Sequence, residues 1–460
     1  MENVAENKQK VRKGIIPVLL SLDFIFILGM LITQAFIYGF NNVGEILNAS
    51  ESAAIIVSIP GVILGIVCFI YASLTDYVSL KKILAVGILL FVLGSLIGFF
   101  FHDSIWTVLL ARCLQVAGGQ VAGSIFLAVT VHYTDGPLRV MLFGLFTASF
   151  QLSTVFGILL CGCLSAYDWA YIFLVPLLSI LVLPIIWKNM PSLSADRKKI
   201  DIVGFVIFGL SVTMLIMFFN YGLIFLIISL VGFAIFGIYI TKAKDPFITP
   251  AFFKNTKWLA GILLLLIFWI TAYSVTSLFN SVGQNVFGLQ TMQVSVYLVF
   301  SCLCAAILAV FSGKIVEKTG RSVAIIISAV LMAAGLIFAG IACGTNMVLV
   351  AIAFCIYFSG YGLLYSPLTT MVLGTLKEDE MGRGIGMNDL ITNVSASVGV
   401  AIFGSMIALP QSNFLSDLTI VGTTPAQVGL SNIMFLFGAI ITLGLIVFLI
   451  VKRHINPKEN

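Results

Sequence analysis

The chain has 460 residues, of which 60% are hydrophobic and only 9% are charged. A soluble domain carries about 25% charged residues, so this composition excludes a water-soluble globular protein. Apolar stretches of about 20 residues, long enough to cross a hydrocarbon core of ~30 Å, recur along the chain and predict a polytopic, all-α membrane protein.

Taken in chain order, the apolar segments predict fourteen membrane-spanning helices. The first segment begins near Gly14 and lacks a small-residue cleavage site, so we interpret it as a spanning helix and not as a signal peptide. A long apolar run near 202–241 is divided at Asn220, Tyr221 and Gly222, which predicts two helices joined by a tight hairpin.

The positions of lysine and arginine support an even number of spans. Cytoplasmic loops collect these residues, and with a cytoplasmic amino terminus all 24 of them except Arg112 fall in inner segments. We therefore expect both termini to be cytoplasmic, in a multi-pass membrane protein. The net charge of +5 reflects this topology, and no nucleic-acid partner is expected.

Cysteine and histidine positions give no sign of a metal or cofactor site. All eight cysteines lie in apolar segments, where cysteine behaves as a small hydrophobe, and none forms a CxxC pair. The three histidines lie in loops on different sides, and no G-x-x-x-x-G-K-[ST] loop is present for ATP. We therefore expect no cofactor and no enzymatic activity.

Two inner loops indicate an internal repeat. The segment ASLTDYVSLKK joins the second and third helices, and SGKIVEKTGRS joins the tenth and eleventh. Both place an acid, Asp76 or Glu317, four residues after a small residue. The two acids are 241 residues apart, which predicts that the two parts of the chain share one arrangement of helices.

The repeat predicts three regions. Residues 1–187 form an amino-terminal half of six helices, and residues 258–460 form a carboxy-terminal half of six helices. Residues 188–257 supply linker loops and two inserted helices. Paired six-helix halves with a substrate site at the midplane are the design of alternating-access transporters.

These features resemble the major facilitator superfamily, in particular its fourteen-helix drug/proton antiporter branch, which includes the Gram-positive tetracycline exporters. The family loop G-x-x-x-D-R-x-G-R-[RK] is matched in the first copy by Asp76, Lys81 and Lys82, and in the second by Gly313, Glu317, Lys318, Gly320 and Arg321. In the first copy Ala72, Tyr77 and Ser79 stand where the family has glycine, arginine and glycine. We therefore expect the second loop to contribute more to gating.

Two helix motifs extend the resemblance. LLARCLQVAGGQVAG resembles the family's R-x-x-Q-G-x-G through Arg112, Gln115 and Gly118. STVFGILLCG resembles the antiporter motif G-P-x-x-G-G through Gly157 and Gly162, with Ile158 in place of the proline. The resemblance implies hinge roles for Gly118, Gly157 and Gly162, and a monomer that exchanges protons for a small molecule across the lipid bilayer.

Charged residues inside spans are functional candidates, because a charge at mid-depth costs ~2.5–3.5 kcal/mol on insertion scales. Asp23 is the expected proton-carrying acid, and Arg112 is expected at a similar depth, where it would tune that acid or bind an anionic group. Each has a structural alternative, as an acid satisfied at a helix interface or as an arginine that ties two helices together. Asp168 is expected to serve a structural role beside the amides that begin the sixth helix.

The remaining candidates fall into two groups. Predicted gating residues lie toward the inner ends of spans: Asp76, Lys81, Lys82, Glu317, Lys318, Arg321 and Asp389. Polar residues expected to face a substrate cavity are Gln34, Gln115, Gln151, Asn280, Asn388 and Asn393. Polar side chains in spans also join helices to one another, and Asp389 is equally compatible with an interfacial position.

The leading interpretation is a secondary active transporter that exports a hydrophobic or amphipathic small molecule in exchange for protons. The alternative is an importer or facilitator of a small metabolite with the same fold, because Ile158 removes the proline of the antiporter motif.

Overall fold

The computed structural model describes residues 2–74, 78–133, 136–164, 168–190, 201–376, 381–408 and 417–455. Over these residues the secondary structure is helical. The α-helices are α1 (Glu2–Ile46), α2 (Ile55–Leu74), α3 (Leu80–Phe100), α4 (Ile105–Tyr133), α5 (Gly136–Leu164), α6 (Leu183–Asn189), α7 (Ile202–Tyr221), α8 (Leu223–Lys242), α9 (Pro250–Lys254), α10 (Thr256–Trp269), α11 (Ala272–Asn285), α12 (Thr291–Thr319), α13 (Arg321–Ala342), α14 (Met347–Leu373), α15 (Met381–Ala408) and α16 (Pro425–Ile455).

The helices confirm a polytopic, all-α membrane protein. Among the described residues, thirteen segments are long and apolar enough to cross a membrane. A further apolar stretch, Ala148–Cys163, lies inside α5, which is 29 residues long. The count of fourteen spans and the orientation of the termini stay predictions, and "inner" and "outer" below refer to the predicted orientation.

Some spans depart from a single regular helix. The sixth begins with a 3₁₀ helix at Trp169–Val182 that contains Pro176, and it continues as α6. Asp168 accepts a hydrogen bond from the Ala170 amide at 2.9 Å, so its predicted structural role at the start of this helix is confirmed. The ninth span is divided into α10 and α11 at Ile270 and Thr271.

The predicted halves share one packing pattern. In the first half α3 packs along α4, and in the second α13 packs along α14. Gly94 and Gly335 are the points of close approach: a Cβ atom at Gly94 would lie 2.7 Å from the Ala111 carbonyl oxygen, and one at Gly335 would lie 2.5 Å from the Tyr357 nitrogen. These two glycines are separated by the same 241 residues as Asp76 and Glu317, which supports the internal repeat.

The inserted helices α7 and α8 form the predicted hairpin. Gly222 joins them with φ of 101°, a conformation that favours glycine. The carboxylate of Asp201 accepts hydrogen bonds from the Gly204 amide at 2.8 Å, the Phe247 amide at 3.0 Å and the Tyr239 hydroxyl. One carboxylate therefore joins the start of α7, the end of α8 and the linker that follows.

The buried apolar residues show how the halves meet. The inner part of the amino-terminal half has its own cluster, which includes Leu22, Phe91 and Phe126. A second cluster runs from the outer part of that half, around Phe36 and Phe173, through the carboxy-terminal half. The apolar core is thus continuous between the predicted halves on the outer side, and Ile66 and Ile70 of α2 extend this contact inward.

Candidate functional site

Neutral polar side chains join the halves near the outer ends of α1 and α11. The Asn41 amide donates to Ser277 Oγ at 2.9 Å and to Ser281 Oγ at 3.2 Å. The Asn280 amide donates to Asn42 Oδ1 at 2.9 Å. We call this set the outer clasp; its residues are Tyr38, Asn41, Asn42, Ser277, Asn280, Ser281 and Thr291.

Thr291, at the start of α12, completes the outer clasp. Its hydroxyl accepts hydrogen bonds from Asn42 at 3.3 Å and Gln284 at 2.7 Å, and its carbonyl accepts from the Tyr38 hydroxyl at 3.2 Å. The buried oxygens Asn41 Oδ1 and Asn280 Oδ1 have no hydrogen-bond partner. An unsatisfied buried acceptor costs about 1–3 kcal/mol, so these two oxygens weaken the outer clasp.

Asp23 lies on the inner half of α1 and is only 4% exposed. The Ser149 hydroxyl of α5 donates to its Oδ2 at 2.7 Å, while its Oδ1 has no hydrogen-bond partner. The described residues offer it no ion pair. A buried acid with one neutral donor is costly to keep charged, which is the chemistry expected of a group that gains and loses a proton.

Arg112 lies in the outer half of α4 and is 2% exposed. Its Nη1 donates to Gln115 Oε1 at 2.9 Å, and its Nη2 lies 3.5 Å from Thr33 Oγ1. The guanidinium carbon lies 4.4 Å from the centre of the Phe36 ring, a cation–π contact. Its Nε has no hydrogen-bond partner.

The prediction that Asp23 and Arg112 lie at similar depth is not met. Arg112 contacts α1 at Thr33 and Phe36, and Thr33 follows Asp23 by ten residues, or about 15 Å of helix. Gly119, seven residues further along α4, packs against Gly29 of α1, and this alignment of the two antiparallel helices places Arg112 beside the outer part of α1, well away from Asp23. The two groups therefore have separate partners.

A second polar group lies in the carboxy-terminal half, around the break between α10 and α11. The Tyr365 hydroxyl donates to Asp389 Oδ1 at 3.3 Å. The Tyr273 hydroxyl donates to Asn393 Oδ1 at 2.7 Å, and the Asn393 amide donates to the Asp389 carbonyl at 2.8 Å. This places the predicted residues Asp389 and Asn393 in one network with two tyrosines that the sequence analysis did not select.

Aromatic rings surround this network. The Trp269 ring centre lies 6.0 Å from the ring centres of both Tyr361 and Tyr365. Tyr357, Tyr361 and Tyr365 follow one another every four residues, so they share one face of α14. That spacing was visible in the sequence, but only the fold brings Trp269 and Asp389 beside it. We call Trp269, Tyr361, Tyr365 and Asp389 the aromatic–carboxylate cluster.

The helix break is held by close packing on α15. A Cβ atom at Gly399 would lie 1.6 Å from the Ile270 carbonyl oxygen, so only glycine allows this approach. Trp269 and Tyr273 lie on either side of the break. Interrupted helices at mid-membrane are common at transporter binding sites.

The other predicted polar residues have varied surroundings. Gln115 holds Arg112 and donates to Ser95 Oγ at 3.0 Å, which makes it part of the bundle interior. Asn388 is 2% exposed, and neither atom of its amide has a hydrogen-bond partner. Gln34 is half-buried and packs against Gly157 of α5. The side chain of Gln151 lies outside the described residues.

The predicted gating loops differ in backbone conformation. Gly320 has φ of 82° between α12 and α13, whereas Ser79, its counterpart before α3, has φ of −52°, which any residue adopts. Glu317, Lys318 and Lys82 are exposed, and Lys81 and Arg321 are half-exposed. Asp76 lies outside the described residues.

The predicted hinge glycines are places of close helix approach. A Cβ atom at Gly118 would lie 2.4 Å from the Gly87 carbonyl oxygen, and one at Gly157 would lie 2.4 Å from the Leu31 carbonyl oxygen. A Cβ atom at Gly162 would lie 2.5 Å from Ser295 Oγ of α12, which belongs to the other predicted half. Gly162 thus lies in the contact between the halves.

Solved structures share this architecture. A POT family transporter in complex with a thioalcohol-conjugated peptide superposes with a TM-score of 0.69 at 15% identity, covering 95% of this chain and 96% of the other. A D-xylose–proton symporter superposes with a TM-score of 0.64 at 14% identity, over 94% and 97% of the two chains. The fold is therefore that of a multi-pass membrane transporter.

Sequence comparison gives the family. The model described as Major Facilitator Superfamily matches residues 22–400, and the chain belongs to that superfamily. The multidrug resistance protein Stp of Mycobacterium tuberculosis is 23% identical over 361 residues, covering 75% of this chain and 67% of the relative. The riboflavin transporter RibZ of Clostridioides difficile is 22% identical over 351 residues, or 74% and 76% of the two chains.

Proposed function

We propose that the protein is a proton-coupled exporter of a hydrophobic or amphipathic small molecule, working by alternating access as a monomer in a bacterial cytoplasmic membrane. The observation that carries this proposal is the buried carboxylate of Asp23, with one neutral donor and one unpartnered oxygen. Protonation neutralises this group and removes the cost of holding a charge in the amino-terminal half.

The proposed cycle uses two closures. With the outer clasp closed, as in this structure, the inner side admits substrate while Asp23 releases its proton to the cytoplasm. The clasp then opens, the inner gate closes, and substrate leaves outward while Asp23 takes up a proton from outside. The clasp contains only amides and hydroxyls, so protonation acts through Asp23 and not through the clasp.

Arg112 has a supporting role in this proposal. Its charge is fixed at any physiological pH, because guanidinium does not deprotonate there. Gln115 and the Phe36 ring hold it in the outer half of the bundle. A fixed positive charge about 15 Å from Asp23 along α1 interacts only weakly with its carboxylate.

The relatives support export of a small molecule. Two are multidrug resistance proteins, Stp and the multidrug resistance protein 3 of Bacillus subtilis. The riboflavin transporter among them, together with Ile158 in place of the antiporter proline, supports the alternative of an importer or facilitator of a metabolite. Direction of transport separates the two.

Proton release from everted membrane vesicles tests the proposal. Vesicles that contain the protein are energised, and a pH-sensitive dye reports lumenal proton loss on addition of ethidium, tetracycline or riboflavin. We expect at least one compound to release protons, and Asp23→Asn to abolish the release while Asp103→Asn, which alters an exposed outer acid, leaves it intact. Proton release that persists in Asp23→Asn would remove Asp23 from the coupling mechanism.

A further inference from the structure

We propose that the aromatic–carboxylate cluster binds the substrate of this transporter, and that it selects a planar aromatic compound carrying a positive charge. This inference rests on the proposed function, because only a transporter would carry the bound compound across the membrane. Binding itself can be measured without transport.

The cluster is accessible from the space between the halves. The Tyr365 side chain is 47% exposed although it lies about 12 Å from the inner end of α14, eight residues before Leu373. A Cβ atom at Gly65 of α2, in the other predicted half, would lie 3.1 Å from the Leu390 carbonyl oxygen, and Cys68 follows three residues later, about one helical turn along α2. The cluster therefore borders the amino-terminal half.

The carboxylate of Asp389 would be stabilised by a positively charged ligand. Its one donor among the described side chains is the Tyr365 hydroxyl, at a long 3.3 Å, and it forms no ion pair with a described basic residue. A carboxylate at this depth is stabilised by a counter-charge. Asp23 differs, because it is 4% exposed and accepts a hydrogen bond of 2.7 Å from Ser149 of α5.

The aromatic rings determine the shape of the ligand. Trp269 lies edge-on to Tyr365, with 66° between the ring planes, and tilted to Tyr361, with 52° between the planes. Tyr365, 47% exposed, is the ring available to a flat cation, and Trp269, 6% exposed, packs behind it. Cation–π attraction of this kind strengthens when water is displaced, so the same rings supply both apolar area and charge recognition.

The network behind the cluster fixes its geometry. The Asn393 amide donates to the Asp389 carbonyl and its oxygen accepts from Tyr273, which joins α15 to the start of α11. Gly65 of α2 packs against Leu390 and Asn393, so α2 covers one side of this part of α15. The cluster thus spans three helices of one half and is bordered by a helix of the other.

Equilibrium binding of a matched pair of dyes tests the inference. The full-length protein in lipid nanodiscs, without any gradient, is titrated with ethidium, a planar aromatic cation, and with dihydroethidium, its uncharged reduced form. We expect ethidium to bind roughly tenfold more tightly. Equal affinity for the two dyes in the wild-type protein would overturn the proposed selectivity.

Variants assign the selectivity to the cluster. Asp389→Asn is expected to reduce ethidium affinity to that of dihydroethidium, while Asp389→Glu retains the preference. Tyr365→Phe keeps the ring and most of the affinity, whereas Tyr365→Leu weakens both dyes several-fold. Asp103→Asn serves as the matched loss of an exposed acid and leaves both affinities unchanged. Ethidium affinity in Asp389→Asn equal to wild type would overturn the site.

A measurement on the unaltered protein guards against variants that fail to fold. Alkylation of Cys68 by N-ethylmaleimide is followed by mass spectrometry with and without ethidium, and the exposed Cys163 is the internal reference. We expect ethidium to slow alkylation at Cys68 and not at Cys163; equal rates at Cys68 would contradict binding at the cluster. If ethidium binds as expected but no proton release accompanies it, only the proposed coupling fails.

Discussion

The Asn280 amide donates to the Asn42 side-chain oxygen at 2.9 Å, and this bond joins the two halves of the protein at their outer ends. Both residues are neutral, and the donors and acceptors around them are serine, threonine, glutamine and tyrosine groups. A junction of this composition is insensitive to pH and to salt. Its strength depends on the lengths and angles of hydrogen bonds between neutral groups. Such bonds can break and re-form as the two halves move.

A covalent bridge across this junction should stop transport. In a background without other cysteines, Asn42→Cys with Asn280→Cys is treated with a short bifunctional thiol reagent. We expect cross-linking to abolish transport, because the outer side can no longer open, and a reductant to restore it when a cleavable reagent is used. Dye transport in proteoliposomes measures the effect. Each single-cysteine variant is the control, and full transport by the cross-linked protein would show that the outer clasp need not open.

Substitutions at Gln115, which accepts a hydrogen bond from Arg112, should change the thermal stability of the protein. Gln115→Glu places a carboxylate where the amide oxygen now accepts from Arg112 at 2.9 Å. Hydrogen bonds to charged groups contribute about 1.5–3 kcal/mol, so we expect a higher midpoint temperature of unfolding in detergent. Gln115→Leu removes the acceptor and should lower the midpoint.

Ser95 provides the control for this comparison. Gln115 donates to Ser95 Oγ at 3.0 Å, and Ser95→Ala removes that acceptor without altering the environment of Arg112 directly. We expect a smaller decrease than for Gln115→Leu. A midpoint for Gln115→Glu below that of the wild-type protein would show that the cost of burying a second charge exceeds the gain from the ion pair.

Several features of the fold could be predicted from the sequence because they depend on local patterns. Apolar length identified the spans, Gly222 identified the hairpin between α7 and α8, and Asp168 identified the start of the sixth helix. Each of these follows from a few adjacent residues. The repeat could also be recognised in the sequence, because Asp76 and Glu317 are separated by the same 241 residues as Gly94 and Gly335.

The candidate site was harder to predict because it depends on side-chain direction and on distant helices. Counting residues from the span edges placed Asp23 and Arg112 at similar depth, but α1 and α4 are aligned so that Arg112 contacts Thr33 and Phe36, at least ten residues beyond Asp23. The aromatic–carboxylate cluster unites residues 269, 361, 365 and 389. Periodicity can place two of these on one helix face, but it cannot pair α14 with α10 and α15.

The carboxylate of Asp201 predicts a structural role for the inserted helices. Tyr239→Phe removes one hydroxyl donor to this half-buried junction, and Asp201→Asn weakens all three of its hydrogen bonds. We expect Asp201→Asn to lower the unfolding midpoint more than Tyr239→Phe does. The free energy of unfolding of Asp201→Asn should fall by about 1–3 kcal/mol. Tyr221→Phe, which removes an exposed bond to Ser52, is the matched control and should be nearly neutral. Equal stability of Asp201→Asn and the wild-type protein would show that the junction is not structural.

A single methyl group added at Gly320, in the loop between α12 and α13, should lower the stability of the protein. Gly320 has φ of 82°, where a side chain strains the backbone by about 1–2 kcal/mol, so we expect Gly320→Ala to lower the unfolding midpoint. Gly313 lies in α12 with open space where a Cβ would stand, so Gly313→Ala should be neutral or stabilising. If this loop closes the inner side, Gly320→Ala should also reduce dye transport more than the same change at Ser79, whose backbone accepts any residue. Equal effects of Ser79→Ala and Gly320→Ala on transport would show that the second loop has no greater part in gating than the first.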